Sequence, residues 1–252
     1  MLTHGTYVVM QSKRARLDRF LSRQLGINKK DSRLLVAQGR VQLDHQVASS
    51  VQQLVDEYTH VSYDHQVLQD KTPCYIQLNK PRGVVSATKD RQHRTVVDLL
   101  PDKTPSNLHI VGRLDFHSTG LVLLTNDGRW SRRLMEPERH VRKYYRVTLD
   151  KPVTPAVIEA FEKGIYFAFE QLTTRPAVLH VIDDAGDCHG GYVAVVILQE
   201  GRYHQIKRMF GHFQITVLSL HRFAVGALTM DAHLNEGQSR HLEPEEVSSI
   251  VE

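Results

Sequence analysis

Gly112-Arg113-Leu114-Asp115-Phe116-His117-Ser118-Thr119-Gly120, followed by the apolar run Leu121-Val122-Leu123-Leu124, is the stretch on which the reading of this chain turns. It sets one carboxylate in a glycine-bounded loop between two segments apolar enough to be buried strands. A carboxylate is rarely left among apolar runs unless something pairs with it or uses it. Asp, Ser, Thr and Gly are also ordinary turn formers, so the stretch alone supports both a plain turn and a catalytic Asp115.

Outward from this loop, apolar patterns alternate between strand and helix periods. Strands are expected at Tyr75–Asn79, His109–Gly112, Leu121–Thr125, Tyr144–Leu149, Ala177–Ile182, Val193–Leu198 and Thr216–Leu220. Helices are expected at Arg129–Met135, Pro155–Lys163, Tyr203–Phe210 and Pro244–Val251, with Pro155 and Pro244 where a helix start favours proline. Strands interspersed with helices predict an α+β fold on a mixed sheet. Asn126-Asp127-Gly128 reads as a turn.

The amino-terminal part has a different texture. Residues 1–12 read as a tail. Leu17, Phe20, Leu21 and Leu25 fall at helical spacing, so Arg16–Leu25 reads as an amphipathic helix closed by Gly26. Asn28 can cap a second helix from Asp31 to Gln38, stopped by Gly39. Short strands follow at Val41–Leu43 and Val61–Tyr63, with a turn at Asp44-His45-Gln46. These make a small module over residues 13–68; residues 69–74, polar and proline-containing, form a linker, and residues 75–252 a larger domain.

The chain has 252 residues, 41% of them hydrophobic, enough for a conventional core. No apolar run approaches ~18 residues, and the first residues lack a secretory pattern, so the expectation is a cytoplasmic protein without a membrane partner. Cys74 and Cys188 are lone and far apart, which supports neither a disulfide framework nor a metal knuckle. The 15 histidines include no His-x3-His or His-Glu-x-x-His spacing, so no metal site is expected. Net charge is only +4, but from Lys13 to Arg40 there are nine Lys/Arg against two acids, and from Arg129 to Arg146 seven against two. Such clusters point to a polyanion partner, or to solvated helix faces.

Three further segments carry chemistry: Leu78-Asn79-Lys80-Pro81-Arg82-Gly83, Lys143-Tyr144-Tyr145-Arg146-Val147, and Glu200-Gly201-Arg202-Tyr203-His204-Gln205-Ile206-Lys207-Arg208-Met209. Singly they read as a Pro-Gly turn, a half-buried strand and an amphipathic helix. Together with the Asp115 loop, and in this order, they identify a resemblance to the RsuA-type pseudouridine synthases that covers roughly residues 13–252. Tyr203 and His204 favour the type acting on small-subunit RNA. Arg16-Leu17-Asp18-Arg19-Phe20-Leu21 and Gly39-Arg40-Val41-Gln42-Leu43-Asp44 resemble an S4 RNA-binding domain. The module departs from that pattern at Asp44-His45, where a glycine usually completes the turn, and at Glu57-Tyr58, which replace a Gly-Asp.

The resemblance implies a mixed, mainly antiparallel sheet with flanking helices, and isomerisation of a uridine in folded RNA. Asp115 would be the nucleophile, attacking ribose C1′ or uracil C6. A carboxylate nucleophile works ionised, as an ordinary aspartate (pKa about 3.9) is at neutral pH, and a cation must hold that charge if it is buried. Arg202 is the implied partner, with phosphate binding as its alternative. Tyr145 would stack on the flipped uracil, worth about 1–3 kcal/mol, and its hydroxyl is a candidate proton acceptor. Tyr144, by strand alternation, faces the other side. Ile206 would floor the base or belong to the core. Arg113, Lys143, Lys207 and Arg208 are expected phosphate contacts, as are Arg16, Arg19, Arg33 and Arg40 of the S4-like module. No cofactor is implied. The expected substrate is uridine 516 of 16S rRNA within a pre-30S particle, and the expected state a monomer. The alternatives are a large-subunit enzyme and a non-catalytic RNA-binding assembly protein. An aspartate glycosidase is weaker, because glycosidases usually pair two carboxylates and Asp115 has no convincing second acid.

Overall fold

The structure is a computed structural model that describes residues 14–182 and 191–250. The expected tail (1–12), Cys188 and Val251 lie outside the described residues. The chain divides between Pro73 and Cys74 into two units.

The first unit comprises β1 (Ala15–Arg16), α1 (Leu17–Leu25), α2 (Lys29–Ala37), β2 (Val41–Leu43), β3 (Gln46–Val47), β4 (Leu54–Val55), β5 (Val61–Tyr63) and β6 (Gln66–Gln69). α1 stops at Gly26, which takes the left-handed conformation at φ 67°. The Asn28 side chain caps α2 by accepting the Asp31 N–H at 2.9 Å. Leu17, Phe20 and Leu21 of α1 pack with Val36, Val41 and Val61 in the core of the unit. Strands β3-β2-β5-β6 form an antiparallel sheet. Its hairpins turn on Asp44-His45 (φ 47° and 65°) and Asp64-His65 (φ 45° and 66°). Two-residue hairpins require positive φ at both central positions, so the missing glycine leaves the turn geometry unchanged and the strain is carried by Asp and His.

The second unit comprises β7 (Tyr75–Lys80), β8 (His109–Val111), β9 (Thr119–Thr125), α3 (Gly128–Met135), β10 (Lys143–Leu149), α4 (Pro155–Lys163), β11 (Tyr166–Phe167), β12 (Leu172–Thr173), β13 (Val178–Val181), β14 (Tyr192–Leu198), α5 (Gln205–Gly211), β15 (Val217–Val225), β16 (Leu228–Thr229), β17 (Ser239–His241) and α6 (Pro244–Ser249). The main sheet runs β13-β14-β10-β15-β9-β7-β17, with β8 on β9 and β16 on β15. Its pairings are antiparallel except β9 with β15. The fold is therefore α+β with a mixed, mainly antiparallel sheet.

The run Leu121–Leu124 lacks polar alternation because β9 is covered on both faces. Leu121 and Leu123 pack with Trp130 and Leu134 of α3. Val122 and Leu124 join the cluster that holds Phe161 of α4 and Ile206, Met209 and Phe210 of α5. Asp127 does more than turn the chain: its Oδ1 accepts the Arg129 and Trp130 N–H groups at 2.8 and 3.1 Å and caps α3. β15 runs five residues beyond the predicted Leu220, because His221 and Arg222 interrupt the apolar pattern without interrupting the strand. The β9–β15 seam closes at Gly120, φ 100°, where a Cβ would lie 2.2 Å from the Arg222 carbonyl oxygen. No helix among the described residues is long and apolar enough to cross a membrane.

Candidate active site

Asp115 sits in the loop between β8 and β9, directly before the parallel seam of the sheet. The backbone carbonyls of that loop are taken up at every second residue. Arg222, 1% exposed, donates from Nη2 to the Gly112 carbonyl and from Nε to that of Leu121, both at 2.8 Å. Ser86 Oγ donates to the Leu114 carbonyl at 2.7 Å and accepts the Leu114 N–H at 3.0 Å. Lys80, fully buried, donates from Nζ to the carbonyls of Ser118 (2.7 Å), Pro81 (2.9 Å) and Phe116 (3.4 Å). Gly83 N–H also donates to the Phe116 carbonyl, at 2.9 Å. A loop held at this many points has its side-chain directions fixed before any ligand arrives.

Two basic side chains flank the Asp115 carboxylate: His204 Nε2 and Lys207 Nζ, each at 3.5 Å. Lys80 lies close enough to feel the same charge. Burial pushes the Lys80 ammonium down to about 8, while Asp115 and Glu236 act in the opposite direction. His204 and Lys207 also border an open cleft of about 570 Å³, lined besides by Tyr166, Phe167, Arg208 and His212. The arrangement presents a carboxylate on a rigid loop, beside cations, at the edge of a basic depression.

Tyr145 is buried in the middle of β10, on the face of Val147 and Leu149. It shares one cluster with Leu114, the neighbour of Asp115, and with Ile206 of α5. The loop, β10 and α5 each contribute to that one core, with Ile206 buried in it. Tyr144 falls on the other face and meets Phe223 with ring centroids 6.0 Å apart.

The expected Arg202–Asp115 pair is not what the structure shows. Arg202 Nε donates to Glu200 Oε2 at 2.9 Å. Glu200, buried, also accepts Gln205 Nε2 at 2.7 Å and the Arg175 N–H at 3.0 Å. Two residues separate Arg202 from Glu200, and this local carboxylate takes the guanidinium, while His204 and Lys207 on the following turn reach Asp115. Among the described residues, Arg202 has no other ion pair.

The expected phosphate contacts divide. Arg113, Arg19 and Arg33 are exposed. Lys143 is half-buried, donates to the Val141 carbonyl at 3.0 Å and is pushed down to about 8 by burial and by Arg222, against Glu200. Arg208 holds Glu170 through two 2.6 Å hydrogen bonds. Arg16 pairs with Asp18 at 2.9 Å, and Arg40 pairs with Asp64, which holds that carboxyl below its usual range. Sequence reasoning missed Lys80, Ser86, Glu200 and Arg222. Lys80 and Glu200 stand in the quoted segments, whereas Ser86 and Arg222 carried no signal.

The sequence and the fold place this chain in a known class of RNA-modifying enzymes. Residues 74–212 match the RNA pseudouridylate synthase family, and the chain belongs to it. It is 44% identical over 236 residues to ribosomal small subunit pseudouridine synthase A of Pseudomonas aeruginosa, covering 93% of this chain and all of that one. It is 40% identical over 238 residues to the protein of the same name from Escherichia coli, covering 94% of this chain and all of the relative. A crystal structure of a pseudouridylate synthase superposes with a TM-score of 0.66 at 33% identity, covering 93% of this chain and 99% of the other.

Proposed function

We propose that this RNA pseudouridine synthase acts on small-subunit ribosomal RNA, converting uridine 516 of 16S rRNA within a pre-30S particle, with Asp115 as nucleophile. The carrying observation is the Asp115 carboxylate, fixed by its loop and faced by His204 and Lys207 at 3.5 Å. In the reaction the N1–C1′ bond breaks, the uracil turns, and C5 bonds to C1′; C5 gives up its proton and N1 takes one up. Asp115 supplies an electron pair, either displacing uracil N1 from C1′ or adding to C6, and its bond to the nucleotide breaks again as pseudouridine is released, which restores the carboxylate. Tyr145 stacks on the extruded base, offsetting part of the few kcal/mol that flipping costs. Lys207 holds the carboxylate's charge under a polyanionic substrate, and His204 Nε2 stands beside it. Arg202, anchored at Nε by Glu200, keeps its remaining guanidinium edge for a phosphate, in company with Arg113.

The first unit acts as an S4-like RNA-binding module through Arg19 and Arg33, whereas Arg16 and Arg40 serve it through their acidic partners as well. The protein works as a cytoplasmic monomer and needs no cofactor. The test is a pseudouridine map of 16S and 23S RNA from cells with the wild-type protein, with Asp115→Asn, and without either. Loss of one 16S site in the last two supports the reading. A site that survives Asp115→Asn removes Asp115 as nucleophile, and a site lost from 23S RNA moves the enzyme to the large subunit.

A further inference from the structure

Three large aromatic side chains stand in water on the segments that line the cleft: Tyr166 lines it, Phe169 follows the lining residue Ala168, and Tyr203 precedes the lining residue His204. Phe169 is 94% exposed, Tyr203 76% and Tyr166 57%. Single exposed apolar residues are ordinary, but three on the segments around one depression are not explained by the core they leave. Their placement is ordered. The Tyr203 ring stacks on the His204 ring, centroids 3.9 Å apart and planes 16° from parallel, and His204 Nε2 lies 3.5 Å from the Asp115 carboxylate. A column therefore leads outward from the carboxylate through an imidazole to a phenol whose environment is mostly solvent.

The opposite wall is the hairpin of β11 and β12, with Tyr166 on its first strand and Phe169 in its turn. The hairpin is clasped to α5. Arg208 holds Glu170 through two 2.6 Å hydrogen bonds and lies over the Phe167 ring at 3.8 Å. Lys207, Arg208 and His212 line the floor between the walls. Cations on the floor match phosphates, and exposed rings on the walls match base faces. Together they are the surface chemistry of single-stranded nucleic acid binding.

We propose that Tyr203 on one side, and Phe169 with Tyr166 on the other, are stacking platforms for unpaired nucleotides flanking the target uridine, so that the cleft grips a short single-stranded segment of RNA rather than one base. This rests on the site being an RNA isomerase centre. Stacking recognises the flat face of any base, so the platforms hold the segment open without reading its sequence; specificity then comes from which loop of the RNA can enter.

The probe is a pre-30S particle assembled on 16S RNA that carries 2-aminopurine next to uridine 516. Binding is measured in the Asp115→Asn background and turnover in the active protein. Tyr203→Ala is expected to abolish the fluorescence quench that stacking produces and to weaken binding about tenfold, toward the low end of what one stacked base contributes. Phe169→Ala is expected to weaken binding as well, and Tyr203→Phe and Phe169→Trp to restore it, since a ring is what the platform requires. The slope of affinity against salt stays constant in these variants, because no phosphate contact is lost.

Unchanged quench and affinity in both alanine variants, while the wild-type protein converts the RNA, overturns the platforms alone. A fall in kcat at unchanged affinity in Tyr203→Ala also overturns them, since that marks a displaced His204. Failure of the wild-type protein to convert this RNA overturns the target reading and the platforms with it.

Discussion

Replacing Lys80 by Met keeps the methylene stem and removes the ammonium that ties down the Asp115 loop. The effects on stability oppose each other. The carbonyls of Pro81 and Ser118 lose their Nζ donor, whereas that of Phe116 keeps the Gly83 N–H. Each buried acceptor left unpaired costs about 1–3 kcal/mol. Against this, burial pushes the lysine from 10.5 to about 8, so its charged form carries a penalty of about 3 kcal/mol that Met does not have. The net change is within about 3 kcal/mol of zero, and Tm moves by less than about 10 °C. Catalysis has no such compensation. The loop loses its Lys80 tether at the Ser118 carbonyl and one of two donors at that of Phe116, and Asp115 loses a nearby positive charge. Displacement of a reacting group by ~1 Å costs on the order of a hundredfold in rate. The assay follows from the chemistry: C5 exchanges its hydrogen for the glycosidic bond, so RNA labelled with tritium at C5 releases the label once per turnover. We expect kcat about a hundredfold down with RNA affinity retained. A kcat within threefold of wild type in the folded variant refutes the tether.

Because the Lys80 ammonium titrates near 8 and a neutral amine has two N–H groups for three carbonyls, kcat should fall as pH rises through 8. Stability should move the other way: between pH 8 and 10.5 the unfolded chain binds the extra proton, so this group's contribution to unfolding free energy rises with pH. Lys143 is depressed to about 8 as well, so the basic limb must vanish in Lys80→Met and persist in Lys143→Met; a limb that survives in Lys80→Met defeats the assignment. Gly120→Ala places a Cβ 2.2 Å from the Arg222 carbonyl oxygen at φ 100°, and the urea midpoint should fall by the equivalent of at least about 2 kcal/mol; an unchanged midpoint means the seam is looser than drawn. Glu200→Ala frees Arg202, Gln205 and the Arg175 N–H together. We expect a loss of about 2 kcal/mol, below the 3–5 of a fully buried pair because Arg202 reaches water, with a larger proportional loss of kcat as the His204–Lys207 turn shifts; thermal melts and tritium release separate the two.

Much of this architecture was legible because its causes are local. Gly26, Asn28, Pro155 and Pro244 act within a turn of where they stand, and the helices begin or end at them. The doubly covered β9 announces itself as four apolar residues in a row. Asp115 was legible because a carboxylate there had no apolar rationale. The errors have a common physical origin in distance along the chain. Lys80 and Ser118 are 38 positions apart, and Arg222 and Gly112 110 apart, so no periodicity connects them. The Arg202 pairing failed for the opposite reason: a local acid two residues away took the guanidinium before the distant carboxylate could. The helix expected from Tyr203 begins at Gln205 because His204, at φ 49°, steps into the left-handed region, the same step that brings its ring against Tyr203.

The two buried cations also bear on how a carboxylate can work against RNA at all. On the proposed reading a nucleophilic anion lies beneath a polyanionic substrate and faces repulsion; at about 4 Å one unit charge against another amounts to about 1 kcal/mol in water and about 4 near a protein surface. Lys207 answers it from the solvent side. Lys80 answers it from within, where salt does not screen it, and Arg222 adds a second buried charge at the mouth of the loop. Neither buried cation has a carboxylate of its own among the described residues; both spend their donors on the backbone that carries Asp115. The groups that fix the direction of the carboxylate are thus the groups that make its charge tolerable. A variant that keeps the tether but removes the charge, or the reverse, should therefore recover only part of the activity lost in Lys80→Met.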